Sequence, residues 1–352
     1  MFTDLDVNDT RWPQLHELLA ASRYTTAEVR RLLGVEQSVE SMLGDIARFS
    51  LSHSRNHALR RTACGVLARL FLFNFEVAAW ELAILPLPLF KLLGELNLVE
   101  HVRGDTDVVH GTVTITEYRQ HYFVSDMLFE ALPDGLVVHD DPRLCMPPHA
   151  SSLELLNSLA RPPGARSLLD VGCGTGCQSI IFGEQYEHVS GLDIESRSAM
   201  FAQINVRVNN SAAQYRAGGW ETLSADMQVD HIIFNTPNPD MAFAFVSQRV
   251  GDIMSSQGSA HIWLRCEITA EDRDISGVIK RRLGGQRSLD IVAAVNGSSP
   301  FSLAPDHIQE RSLPRHTLLV RNPAERNAYF DRLAERGVIE VASVVLTVRH
   351  RS

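Results

Sequence analysis

An α/β fold is predicted for the C-terminal half of this 352-residue chain: a doubly wound, mainly parallel sheet, preceded by a second, mainly α-helical domain. Three observations carry that expectation. From Ser167 onward, strand-like and helix-like segments alternate, the order that builds βαβ units and, through right-handed crossovers, a parallel sheet. The run Leu168-Leu169-Asp170-Val171-Gly172-Cys173-Gly174-Thr175-Gly176-Cys177 reads as a buried strand, a glycine-rich turn and the start of a helix. From Trp12 to Phe73, in contrast, apolar side chains recur at three- and four-residue spacing, as on helices.

The helical part is read from Leu15, Leu18 and Leu19, and later from Val66, Leu67, Leu70 and Phe71. Thr25-Thr26-Ala27-Glu28 is suited to start a new helix, with a hydroxyl for the first free amides and Glu28 in the first turn. Between Phe75 and Tyr122 the pattern predicts a helix in FEVAAWELAIL, and a second from Pro86-Leu87-Pro88 to near Leu96. Alternation then runs from Leu98 to Ile115 around Gly104-Asp105. Two short helices followed by a hairpin resemble a winged-helix module. The wing HVRGDTDVVHGTVTI holds Arg103 and no lysine but carries Asp105 and Asp107, so packing or a substrate lid is expected rather than phosphate contact.

A connecting stretch follows, with a strand-like His121-Tyr122-Phe123-Val124 and turns at Pro133-Asp134-Gly135, Asp140-Asp141-Pro142 and Pro147-Pro148. The organisation expected is therefore a helical, winged-helix-like domain over residues 1–120, a connector with a substrate-lid loop over 121–150, and the α/β domain over 151–352. Ser151-Ser152 is expected to cap a helix from Leu153 to Leu159. The α/β domain then reads as strand SLLDV, a helix from Gln178, strand HVSGLDI, a helix from Arg197 to Val208, and strands QYRA and HIIFN. Further strands are expected at Ala260 to Leu264, around Leu289 to Val292, at Thr317 to Val320 and at Val341 to Val348, two of them forming an antiparallel edge.

Composition narrows the function classes. A net charge of −9 argues against a broad nucleic-acid surface, and the basic runs Arg60-Arg61 and Lys280-Arg281-Arg282 read as solvated helix faces. The most apolar stretch, Val77 to Leu93, is broken by Glu81, Pro86, Pro88 and Lys91, so no membrane span is expected. MFTDLDVNDTRW lacks the basic-then-apolar pattern of a signal peptide, and a cytoplasmic protein is expected. Cys64, Cys145, Cys173, Cys177 and Cys266 are odd in number and scattered, which fits reduced thiols. The Cys173/Cys177 spacing lacks a second ligand pair, so no metal is expected.

Alternate glycines let a chain leave a strand sharply and bring bare backbone to a ligand, and an acid ending the next strand can hold two ribose hydroxyls. This GxGxG turn, preceded by Asp170 and followed by Asp193 after a second apolar run, resembles the class I S-adenosylmethionine (SAM)-dependent methyltransferases, whose sheet is Rossmann-like. The resemblance implies that Gly172, Gly174 and Gly176 make room for the methionine moiety and that Asp193 binds the ribose diol. Ile194 then stands as an adenine wall, and Asp170 orders the loop or meets the ammonium through water. A helix cap is the structural alternative for Asp193.

The segment Asp230 to Pro239 contains Asn235-Thr236-Pro237-Asn238 at the end of a predicted strand. It resembles the NPPY/F motif of N-methyltransferases that act on planar nitrogens: base amines and the glutamine of release factors. The resemblance implies that the Asn235 side-chain oxygen, also beside the cofactor, and the Thr236 carbonyl accept the hydrogens of the nitrogen attacked, with Pro237 shaping the turn. Asn238 stands where the family has a stacking aromatic, and is assigned to the substrate. The family's loop before the first helix, here PPHASS, would bring Pro148, Ser151 and Ser152 near the cofactor; Ser151, Ser152 and His149 are also assigned to the substrate, with a structural role the alternative for the histidine. Where relatives read GDLFE, this chain has AGGWE, with Gly218 in place of the acid and Trp220 either beside adenine or in the core. His149, Asp126 and Glu267 are the candidate bases. The expected function is methyl transfer by in-line displacement to a nitrogen of a small molecule, amino-acid-derived or from natural-product biosynthesis. The alternatives are N-methylation of ribosomal RNA or a protein glutamine, O- or C-methylation of a metabolite, and a non-catalytic SAM-sensing DNA-binding regulator.

Overall fold

The computed structural model describes residues 4–34, 57–102, 107–132, 135–139, 141, 143–224, 226–236, 238–272, 274–295, 301–302, 328 and 331–351. The strand predicted at Thr317 to Val320 lies outside these residues, as do Gly104, Asp105 and Pro237. The chain divides into two compact units, one made of Met1–Ala150, Gly174–Ile181 and Glu195–Ala212, the other of Ser151–Cys173, Phe182–Ile194 and Ala213–Ser352.

In the first unit, α1 (Trp12–Ala21) buries Trp12, Leu15 and Leu19, and α2 (Thr26–Leu33) starts at Thr25, whose hydroxyl accepts from Glu28 N at 3.2 Å. α3 (Ala63–Phe71) is followed by β1 (Val77–Ala78), a 3₁₀ helix over Ala79–Ile84, α4 (Leu87–Glu95), β2 (Val99–Val102) and β3 (Val108–Gly111). These strands form an antiparallel sheet in the order β1-β3-β2. The first helix expected here is shorter than its apolar pattern suggested, because Val77 and Ala78 pair with β3. Glu81, itself buried, also draws its turn tight by accepting from Ala78 N, while Arg69 neutralises it at 2.9 Å.

Next come the hairpin β4 (Thr114–Tyr118) with β5 (His121–Ser125) and the hairpin β6 (Phe129–Leu132) with β7 (Gly135–Val138). The same unit holds α7 (Ser196–Val208), which packs along α1 and β5. Two asparagines, Asn205 in the last turn of this helix and Asn209 at its C-cap, treat β5 as a strand would. Asn209 accepts from Tyr122 N and donates to Tyr122 O, and Asn205 does the same at Val124, with all four distances between 2.7 and 3.0 Å. Arg197, at the start of the helix, forks onto both carboxylate oxygens of Asp126. β5 thus finds donors and acceptors on a helix, which satisfies polar backbone that would otherwise be buried unpaired.

The second unit is built on one large sheet in the order β10-β9-β8-β11-β12-β15-β13, with β14 (Phe301–Ser302) also on β15. Its strands are β8 (Ser167–Val171), β9 (His188–Asp193), β10 (Gln214–Ala217), β11 (Val229–Asn235), β12 (Met254–Thr269), β13 (Leu289–Val295) and β15 (Val338–His350). Numbered within the domain with the two-residue β14 left out, that order is 3-2-1-4-5-7-6. The first five strands are parallel, and β15 runs antiparallel to both β12 and β13. The antiparallel edge expected from the sequence is therefore present, with the reversed strand inserted one place inside it.

Alternation along the strands sorts the side chains by face. Ile232, Phe234, Ile262, Leu264, Val344 and Leu346 enter the main core with Leu169 and Val171, against which α8 (Pro239–Phe245) and α9 (Ile275–Leu283) also pack. On the other parity Trp263 and Val345 join Leu155 of α5 (Ala150–Ser158). There too lies a buried polar chain. The Tyr186 hydroxyl bonds His231 Nδ1 at 2.5 Å, His231 Nε2 bonds His261 Nδ1 at 2.7 Å, and Phe182 packs its edge on His231. Burial holds both imidazoles neutral, followed in effect by the pair's own repulsion at His231 and by Arg349 at His261, whose pKa falls to about 4.

A histidine neutral in the folded chain but protonated when unfolded stabilises the fold fully above about pH 6.5 and progressively less as the pH drops toward 4. The loss at His261 is of the order of 3 kcal/mol. Urea denaturation across this window is expected to show falling stability in the wild type and a flatter profile in His261→Gln. Equal slopes in the two would remove the pair as the cause.

Candidate functional site

In an open parallel sheet, ligands collect beyond the carboxyl ends of the strands, where the strand order changes direction. Here the change falls at β8, which has β9 on one side and β11 on the other. The carboxyl ends around it are Val171, Asp193, Ala217 and Asn235, each at the end of its own strand.

Between β8 and α6 (Cys177–Gly183) the backbone takes the left-handed region three times, with φ of +62° at Gly172, +53° at Gly174 and +75° at Gly176. Other residues adopt these angles at a cost, so the glycines at alternate positions are the sequence form of this turn. A β-carbon on Gly172 would also meet the Phe234 ring at 3.0 Å, whereas one on Gly174 would have nothing within 4 Å. Cys173 N donates to Leu192 O at 3.1 Å, fastening the start of the turn to the end of β9. Asp170, just before the turn, is buried.

Asp193 is half-buried, two residues before Glu195, the cap position of α7. Its backbone oxygen accepts from Gly218 N at 2.8 Å, which joins the ends of β9 and β10. Ile194 beside it is 71% exposed, a large apolar side chain left in water where an adenine wall was expected. Trp220 is half-buried against Phe234 and Phe245, with ring centroids 5.9 and 5.5 Å away. It is thus wedged at the rim of the core.

Asn235 ends β11, and its amide nitrogen lies 3.2 Å from the hydroxyls of both Ser151 and Ser152. With the nitrogen taken, Oδ1 has no hydrogen-bond partner among the described residues. The serines do not cap α5 as predicted. The helix already starts at Ala150, which puts them in its first turn, facing Asn235. Thr236 is fully buried and its hydroxyl ties the turn, donating to Asn238 O at 3.0 Å and accepting from Asn238 N at 3.2 Å. Asn238 caps α8 by accepting from Asp240 N at 2.9 Å, a use of the side chain that the motif comparison did not anticipate. Pro237 lies outside the described residues, and His149 is half-buried just before α5.

Two of the candidate bases are already engaged. Asp126 accepts from Arg197 and from Cys145 N, and Glu267 pairs with Arg336 at 2.7 Å. Sequence reading also missed the polar supports: Glu154, which accepts from the Trp263 indole at 3.0 Å, and Asn205 and Asn209. The only local signal was a polar residue inside an apolar helical stripe, as with Asn205 between Phe201 and Val208. Among the described residues no group of three or more potential metal ligands occurs, and no helix is long and apolar enough to cross a membrane. All five cysteines are buried as free thiols.

Residues 149–249, which run from the pre-helix loop through the glycine turn to α8, match the methyltransferase small domain family. No curated protein matches the chain. Among solved structures, a tRNA m1G37 methyltransferase of M. jannaschii is 13% identical, with 69% of this chain and 60% of that one covered and a TM-score of 0.42. Geranyl diphosphate C-methyltransferase of Streptomyces coelicolor A3(2) is 14% identical over 57% of this chain and 78% of that one, with a TM-score of 0.38. The ribosomal protein L11 methylase of Lactobacillus delbrueckii subsp. bulgaricus is 14% identical over 57% and 77%, with a TM-score of 0.35. The chain spans about 60% of the length of the tRNA methyltransferase.

The open space at Gly174 separates folding from ligand binding. Asparagine tolerates the left-handed region, so Gly174→Asn is expected to melt close to the wild type yet lose SAM affinity in calorimetry. Gly172→Ala, in contrast, should cost about 1–3 kcal/mol of stability through backbone strain and the Phe234 contact. Undiminished SAM binding by Gly174→Asn would show that the ligand does not approach this turn.

Proposed function

We propose that this chain is a SAM-dependent methyltransferase with the class I fold and that it methylates a nitrogen atom of a small molecule. The observation that carries the reading is the amide of Asn235. Its nitrogen is spent on two serine hydroxyls, and its oxygen is left at the carboxyl edge of β11, beside the strand that feeds the glycine turn. An oxygen held in that way can accept a hydrogen of an attacking N–H group. It aligns the nitrogen lone pair and stabilises the positive charge that grows on nitrogen as the bond to carbon forms.

The residues suit the donor by their chemistry. Three left-handed glycines supply backbone without side chains, Asp193 supplies a carboxylate for a diol, and exposed Ile194 and half-buried Trp220 supply apolar surface for a base. SAM, when bound, supplies an electrophilic methyl group on a sulfonium that departs as a neutral thioether. What the chain adds is orientation and the acceptor oxygen, and the Thr236 carbonyl is proposed as the second acceptor.

A small substrate is supported by three features. Net charge is −9. Asn238, in the position of the family's stacking aromatic, is a helix cap, so no flat ring is offered there to a base. In the N-terminal part, whose helix and strand order we read as winged-helix-like, the outward faces of the 3₁₀ helix and α4 carry Trp80 and Leu87, 72% and 61% exposed, where a nucleic-acid reader would carry basic side chains.

Asn235→Ala is expected to lower kcat by about 10²-fold or more while SAM affinity stays near that of the wild type. Product analysis with methyl-labelled SAM and amine metabolites should place the label on nitrogen. Labelled RNA, or salt-sensitive binding to duplex DNA, would overturn the small-molecule reading.

A further inference from the structure

Asn205 has three hydrogen-bond partners and no exposure to water. Its oxygen accepts from Val124 N at 2.8 Å, and its nitrogen donates to Val124 O and to Thr175 O, each at 3.0 Å. Thr175 is the middle residue of Gly174-Thr175-Gly176 and is itself buried. Both amide hydrogens and the oxygen are therefore used, one hydrogen on each of two segments far apart in the chain.

The flanking glycines make this contact consequential. Because Gly174 and Gly176 visit the left-handed region at little cost, they can leave it as easily, and nothing in their own side chains holds the peptide between them. The peptide unit is planar, so fixing the Thr175 carbonyl fixes the whole 175–176 plane. Asn205 thus adds, from outside the turn, a hydrogen bond that fixes its middle carbonyl.

We propose that Asn205 is a positioning residue for the methyl donor: by clamping the Thr175 carbonyl while completing β5 at Val124, it holds the glycine turn in its ligand-ready shape and ties it to that strand. The proposal rests on the SAM reading above. By the reciprocity of linked equilibria, donor binding to the turn and ordering of β5 strengthen each other through this side chain.

Asn209 provides the control. It makes the same paired bonds to β5, at Tyr122, and its further donation goes to Asn205 O in the helix rather than to the turn. Asn205→Ala and Asn209→Ala should both lower Tm. Only Asn205→Ala should weaken SAM binding in calorimetry by about tenfold or more, and only it should speed hydrogen exchange in the peptide spanning 172–178 of the ligand-free protein. If Asn205→Ala does not fold, Asn205→Ser serves in the same comparison. Equal effects of the two variants on affinity and exchange, or no effect of either, would overturn the role of Asn205 while leaving the wild type a SAM binder. A wild type that binds no SAM would overturn the functional reading and this proposal with it.

Discussion

The parallel pairing of β8 with both β9 and β11 is the constraint on which the site depends. A strand in the middle of a parallel sheet is buried on both faces, so its polar ends are its only approaches to water, and its carboxyl end becomes the place where backbone can meet a ligand. With β8 central, Asp193 and Asn235 are brought to its two sides by hydrogen-bonded register alone. The Phe234 ring that fills the space under Gly172 belongs to the same register, so the core and the turn are not separable designs.

Much of this architecture was legible in the chain because it is local. The glycine turn, the apolar strands before it and the hydroxyl at Thr25 are each decided within a few residues, and each stands where expected. The reversed β15 was legible as a strand, from its apolar alternation. Its place between β12 and β13 was not, because pairing partners separated by many residues leave no mark on either sequence.

The site was legible in its residues and less so in their tasks. Asn235 was singled out by its motif, yet the serines that hold its nitrogen were expected to cap a helix, since the same hydroxyl suits either use and one residue of helix start decides between them. Asn238, read from the motif as a substrate position, is also a cap, because Pro239 begins α8 directly after it. Asp126 and Glu267 illustrate the general difficulty: the cations that hold them, Arg197 and Arg336, lie 71 and 69 positions away.

The antiparallel strand β15 carries a consequence for how the protein comes into being. Its 13 residues pair with β12 on one side and β13 on the other, so the longest strand of the sheet, β12, has one edge that stays open until the last strand described has emerged from the ribosome. That edge is rich in apolar residues, and its partner is far off in sequence, a combination that slows closure and leaves a sticky template exposed meanwhile. The nascent domain should therefore pass through a stage in which its donor-side strands β8 to β11 can already pair while the sheet as a whole still needs shielding from its neighbours.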